Sequence, residues 1–182
     1  MTEVNAAVGR MQPFTTGHLK LAEETYKHTG LKTVYFVIDT TDADYSHPFL
    51  TKMMWGSLNA LKKRYEYIED FILVPSANIF KMINAAELKG YEIVSLTCGT
   101  DRYANYKRMC ETYYHLPIQI REVYRTEKDV SATEVRQAIR DNDERKFKQC
   151  TPEPLHKLFK QFQEALDEID KRPPKLKRKK AK

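Results

Sequence analysis

GRMQPFTTGHLKL, residues 9–21, joins the apolar run VNAAV to a helical pattern, and it carries more chemistry than a simple connector needs. Gly9 closes a short β-type run over residues 4–8. Gly17 and His18 open a helix expected over 17–28, with Leu19, Leu21, Ala22 and Tyr26 on its inner face and Gly30 as its stop. The first amides of a helix lack partners within it and carry partial positive charge, so they bind phosphate. Gly17 allows close backbone approach. Thr15 brings a hydroxyl, His18 an imidazole and Arg10 a planar cation. Read alone, the stretch is equally explained by a threonine that caps a helix and a hydrogen-bonded surface histidine.

The rest of the chain supplies the frame. Runs rich in β-branched, aromatic and aliphatic residues at 32–38, 71–75, 92–98 and 118–124 alternate with helical patterns at 51–65, 78–88 and 100–114, then from Ser131, then from near Pro152. A polar loop, DTTDADYSHPF, fills 39–49. Such alternation predicts an α/β fold, a Rossmann-like parallel sheet with helices on both faces. A C-terminal helix completes it, with an apolar stripe of Leu155, Leu158, Phe159, Phe162, Leu166 and Ile169. Ligands of open sheets of this kind sit at the carboxyl ends of the strands.

With 182 residues, 41% hydrophobic and 31% charged, one domain over 1–170 is expected. Net charge is +6, but the last twelve residues, KRPPKLKRKKAK, hold eight Lys or Arg and no acid. The remainder has 23 basic against 25 acidic residues and is close to neutral. Residues 171–182 therefore read as a disordered basic tail, with contact to nucleic acid or another polyanion as the alternative. No apolar run reaches bilayer length, and MTEVNAAV lacks the regions of a signal peptide. The expectation is a cytoplasmic protein (host cytoplasm for a viral one) with no membrane partner. Cys98, Cys110 and Cys150 are odd in number and form no CxxC pair, so buried thiols are expected rather than disulfides or zinc.

GRMQPFTTGH resembles the first motif of the HIGH-type nucleotidyltransferases, [T/H]xGH after a glycine-containing first strand. The longer form, GRxQPxxxGH, is most similar to the nicotinamide-mononucleotide adenylyltransferases, which usually have histidine where this chain has Thr15. A second family motif, ISSTxxR at a helix start, is resembled by DVSATEVRQAI (129–139), with Ser131, Thr133 and Arg136 in the matching places. Taken alone, Ser131-Ala-Thr-Glu134 is also an ordinary capping box. CGTDR (98–102) resembles the family's third glycine-containing loop and contributes Gly99 and Asp101. The compact length and mixed motifs also resemble small phage-encoded members.

The resemblance implies transfer of a nucleotidyl group from an NTP to a phosphate-bearing acceptor with release of pyrophosphate and no enzyme nucleophile. It implies that His18, Thr15 and Arg136 are catalytic, and that Gly9, Arg10, Gly17, Gly99, Asp101, Ser131 and Thr133 hold the nucleotide. Mg²⁺ is implied as cofactor, held mainly by nucleotide phosphates and water, and so is homo-oligomerisation. SHPF (46–49) resembles the tPF segment of the nicotinamide-mononucleotide enzymes, but their following arginine falls near Met54, with Lys52 as its nearest replacement. Arg125, Thr126 and Glu127 resemble the RTE of glycerol-3-phosphate cytidylyltransferases. ATP is thus the favoured donor and CTP the alternative. A non-catalytic nucleotide-binding module on the same fold is the reading from another class. Trp55 is expected in the core. Asp39 and Asp101 are both expected at the ligand edge.

Overall fold

The computed structural model, which describes residues 1–124 and 129–173, contains five parallel strands: β1 (Thr2–Gly9), β2 (Thr33–Ile38), β3 (Ile68–Val74), β4 (Tyr91–Gly99) and β5 (Gln119–Val123). Their order is β3-β2-β1-β4-β5. β2 is buried at all of its positions, as a central strand covered on both faces must be. Side chains alternate across it. Tyr35 and Val37 enter one core with Ala7, Phe14, Phe71 and the apolar residues of α1 (Thr16–Thr29), α2 (Thr51–Arg64), α5 (Ala132–Arg140), α6 (Glu144–Cys150) and α7 (Phe159–Asp170). Val34 and Phe36 enter the other with Val4, Ile72, Met82 of α3 (Ile79–Leu88) and Tyr106 of α4 (Thr100–Lys107).

A buried polar link ties the three central strands. Asn5 Nδ2 donates to Thr33 Oγ1 at 3.1 Å. Asn5 Oδ1 accepts from Ser95 Oγ at 2.7 Å and Thr97 Oγ1 at 2.9 Å. All four side chains are at most 3% exposed, where unpaired polar atoms would be costly. The link fixes the register of β1 against β2 and β4. Both β1 and β4 stop at a glycine, and the chain reverses direction across the sheet between them. That crevice is the switch point at which such sheets bind ligands.

The expected C-terminal apolar stripe is buried throughout. Leu19 and Ala22 are buried on α1, Leu21 and Tyr26 partly so, and Gly30 ends the helix in the left-handed conformation (φ 73°). All three cysteines are free and buried. Among the described residues no helix is long and apolar enough to cross a membrane.

Three helical expectations need correction. The helix expected from Ser131 stops at Arg140, and a further helix, α6, for which no expectation was made, precedes the final one. Asn142 adopts a positive φ of 55°, which breaks the helix, and Asp143 then caps the separate α6 by accepting from Lys146 N at 3.1 Å. The final helix starts at Phe159, because residues Glu153–Leu158 form a tighter 3₁₀ segment. The helix expected over 100–114 is α-helical only to Lys107 and continues as a π-helical segment, Arg108–Tyr113.

Candidate functional site

The β1–α1 connection turns sharply. Met11 takes a positive φ of 55° and buries its side chain. Gln12, only 5% exposed, spreads its amide across the next loop. Its Nε2 donates to the Phe49 carbonyl at 2.8 Å, and its Oε1 accepts from Phe49 N at 2.9 Å. Arg10 is partly buried, with Nη1 3.4 Å from the Thr40 hydroxyl.

Thr15 caps α1, and His18 is the third residue of that helix. His18 Nδ1 accepts the Thr15 backbone N–H at 2.9 Å and lies 3.1 Å from Thr15 Oγ1. A nitrogen that accepts an amide proton carries none of its own, so the neutral ring holds its proton on Nε2. The ring stacks on Phe14, with centroids 4.9 Å apart, and the buried Tyr35 hydroxyl donates to the His18 carbonyl. Burial pushes the Tyr35 phenol well above its ordinary pKa and keeps it a donor. No acidic residue stands in the first turn of α1, so nothing in that turn neutralises the positive end of its dipole.

Gly17 lies beneath the segment that enters α5. A Cβ on it would sit 2.9 Å from the Val130 carbonyl oxygen. Sequence reasoning gave this glycine to ligand approach, and the structure adds a chain crossing. Beyond that crossing, Ser131 caps α5 by accepting from Glu134 N at 3.1 Å. Arg136 Nη2 donates to Thr133 Oγ1 at 3.2 Å, and Nη1 donates to the Gln12 carbonyl at 2.6 Å. Burial, and then the Arg140 charge, pull the Arg136 pKa down from its ordinary value. Its partners are a carbonyl and a hydroxyl, and no carboxylate among the described residues pairs with it. On the other wall Gly99 caps α4, and a Cβ there would meet Asp101 Oδ1 at 2.9 Å.

These pieces line one cleft of about 840 Å³ at the carboxyl edge of the sheet. Gly9, Arg10, Thr15, Gly17, His18, Gly99, Asp101, Ser131, Thr133 and Arg136 all contribute to its wall. Asp39 does not line it, and neither does Trp55, which is partly buried against the core. Met54, at the place of the family's missing arginine, is fully buried, and Lys52 is exposed. Arg125, Thr126 and Glu127 lie outside the described residues. Among the cleft residues to which sequence reasoning gave no individual role are Lys20, Arg102, Asp129, Gln12 and His47. Gln12 carried a signal, being a polar residue between Met11 and the Pro-Phe pair of a buried turn. His47 stood in the SHPF segment, whose resemblance to the tPF segment singled out no role for it. The Asp44 carboxylate accepts its backbone N–H at 2.7 Å and lies 3.4 Å from its Nδ1.

Solved structures share this fold. Thermotoga maritima TmcAL bound with alpha-thio ATP superposes with a TM-score of 0.57 at 11% identity, over 88% of this chain and 55% of that one. A Plasmodium falciparum nicotinic acid mononucleotide adenylyltransferase complexed with NaAD gives 0.56 at 11%, over 93% and 97%. A bifunctional NMN adenylyltransferase/ADP ribose pyrophosphatase from Francisella tularensis gives 0.64 at 16%, over 93% and 54%. The chain thus spans about half the length of the Thermotoga and Francisella chains. No curated protein matches it in sequence. The family model described as cytidylyltransferase-like matches residues 6–138, a span that contains residues 9–18 and the second motif's Ser131, Thr133 and Arg136. That span is well over half of the chain, and the chain belongs to the cytidylyltransferase-like family.

Proposed function

We propose that residues 1–170 form a nucleotidyltransferase that moves a nucleotidyl group from an NTP to a phosphate-bearing acceptor and releases pyrophosphate. The observation that carries this reading is the pairing in one cleft of His18, whose Nδ1 accepts the Thr15 amide, and Arg136, a half-buried cation without a carboxylate partner among the described residues. A triphosphate would supply the negative counter-charge that Arg136 lacks among the described residues. In the reaction an acceptor phosphate oxygen attacks the α-phosphorus while the bond to the pyrophosphate oxygen breaks. No protein nucleophile is needed, so positioning and charge stabilisation do the work.

His18 Nε2–H donates to an α-phosphate oxygen as charge builds there. Thr15 sets that ring through its backbone N–H, and the α1 amides near Gly17 hold the same region. Ser131, Thr133 and Arg136 hold the outer phosphates, with Arg10 beside them. Gly99 and Asp101 meet the nucleoside. The cleft offers hydroxyls, amides, an imidazole, guanidinium groups and the Lys20 ammonium, a donor set suited to phosphate, beside the Glu24, Asp101 and Asp129 carboxylates. Among the described residues no group of three or more His, Cys, Asp or Glu could hold a metal ion. That set fits Mg²⁺ carried in on the triphosphate, with phosphate oxygens and water as its ligands, where it would neutralise phosphate charge.

ATP with nicotinamide mononucleotide is the favoured pair. The GRMQPF and SHPF segments support it, and so does the Gln12–Phe49 bond that joins them. The Plasmodium and Francisella structures act on related mononucleotides by their names. CTP with glycerol 3-phosphate is the second reading, favoured by the RTE match. Competition settles the choice. With ATP and CTP at equal concentration and each acceptor in turn, the proposal expects an adenylylated product from nicotinamide mononucleotide. A cytidylylated product from glycerol 3-phosphate would select the second reading.

A further inference from the structure

We propose that Gln12 is a positioning residue that couples the triphosphate wall of the cleft to the 39–49 loop, an inference that rests on the nucleotidyl-transfer reading. Its side-chain amide meets the Phe49 backbone in both directions, at 2.8 and 2.9 Å, as neighbouring strands meet. Nε2 also lies 3.4 Å from the Thr40 hydroxyl and from the Arg10 carbonyl. The amide is thus committed to protein partners and is not left to bind substrate. Thr40 is in turn tied to α2, its N–H donating to Thr51 Oγ1 at 2.7 Å. The Phe49 ring is fully buried against Phe162 of α7, with centroids 4.3 Å apart. The loop end that Gln12 grips is therefore fixed to the core, and Ser46 and His47, just before it, line the cleft.

The other side of the same residue faces the second motif. The Gln12 carbonyl accepts from Arg136 Nη1 at 2.6 Å across 124 positions of sequence. One peptide therefore sets the place of Arg136, and one side chain sets the loop opposite. A change in the side chain tilts the peptide and moves the guanidinium. This is coupling through a packed network with a named hinge rather than a ligand contact.

Two variants test it. Gln12→Met keeps the length and removes every side-chain hydrogen bond, leaving the backbone carbonyl to Arg136. Gln12→Glu keeps the acceptor for Phe49 N and loses the donor. Each is compared with wild type in steady-state transfer, alone and combined with Arg136→Lys. Hydrogen exchange over residues 39–49 and 131–140 is read in parallel. In both folded variants kcat should fall about tenfold while KM for the nucleotide changes less than about threefold, the mark of an interaction lost in the transition state. Arg136→Lys should then add less than about twofold on top of either, because coupled residues are not additive. Exchange should quicken in both segments. Wild-type kcat in a folded variant, or losses that simply multiply, would overturn the coupling. So would loss of fold in both variants, which would make Gln12 a structural residue only. If the wild-type protein turns over no nucleotide, the functional reading fails on its own. The exchange data then decide the coupling, and faster exchange confined to 39–49 would overturn it.

Discussion

Two helix starts flank the cleft, and they are built differently. At α1 the cap residue Thr15 is almost fully buried, and its backbone N–H is used to fix an imidazole. The first turn holds no acid. At α5 the cap Ser131 satisfies a backbone amide in the usual way, and Glu134 sits in the first turn, paired with Lys146 at 3.3 Å. The α5 end thus spends part of its positive field on its own carboxylate. Its contribution comes instead from Arg136, one turn further on, whose guanidinium crosses to the β1–α1 loop. One end offers an oriented imidazole and a first turn without an acid, and the other offers a formal charge. A transferred phosphoryl centre and its leaving pyrophosphate need these two things in different places.

The sharpest break of that contrast is His18→Ala. It should lower kcat by about 10²–10⁴, the range for a positioned proton donor or charge stabiliser, with little change in thermal midpoint. Steady-state kinetics beside a melting curve checks both halves. Arg136→Lys should come next, with a loss of about tenfold or more in kcat/KM. An ammonium cannot hold the Gln12 carbonyl, the Thr133 hydroxyl and a phosphate in one planar fork. If lysine serves as well, the α5 wall supplies charge without geometry. Gly17→Ala tests how the two ends are joined. Its new methyl meets the backbone oxygen of Val130, which cannot rotate away. A cost of about 1–3 kcal/mol, typical of overpacking, is expected in denaturant unfolding, with activity reduced as well. Ser131→Ala should be mildest. Loss of the cap costs about 1 kcal/mol, and KM for the nucleotide should rise by about threefold. A kcat collapse there as deep as that of His18→Ala would erase the distinction between the two helix starts.

Much of this was legible in the chain, for physical reasons that differ from place to place. The strands could be read because a sheet buried on both faces needs unbroken apolar runs, as in TVYFVI, and parallel pairing followed from the helices between them. Gly30 stops α1 where a left-handed residue was expected. The alternation of strands and helices located the sheet edge that holds the cleft, and the family resemblance named the residues of three separated segments that line it. What escaped reading was set by contacts distant in sequence. The Gln12–Phe49 pair spans 37 positions and the Arg136–Gln12 bond 124, and no local period encodes either. The break at Asn142 and the 3₁₀ start at Glu153 escaped for another reason. Residues 140–146, RDNDERK, carry no apolar period to mark where α5 ends and α6 begins, and Leu155, Leu158 and Phe159 suit a 3₁₀ turn as well as an α-helix.

The most direct measurement is pyrophosphate release with Mg²⁺ from ATP and, separately, CTP, with nicotinamide mononucleotide or glycerol 3-phosphate as acceptor, wild type beside His18→Ala. The account predicts release that depends on one donor and one acceptor and is abolished in the variant. Nucleotide binding by the wild-type protein with no release on any acceptor, or equal release by His18→Ala, would contradict it. The former result would leave the fold as a nucleotide-binding module, and the latter would remove His18 from the chemistry.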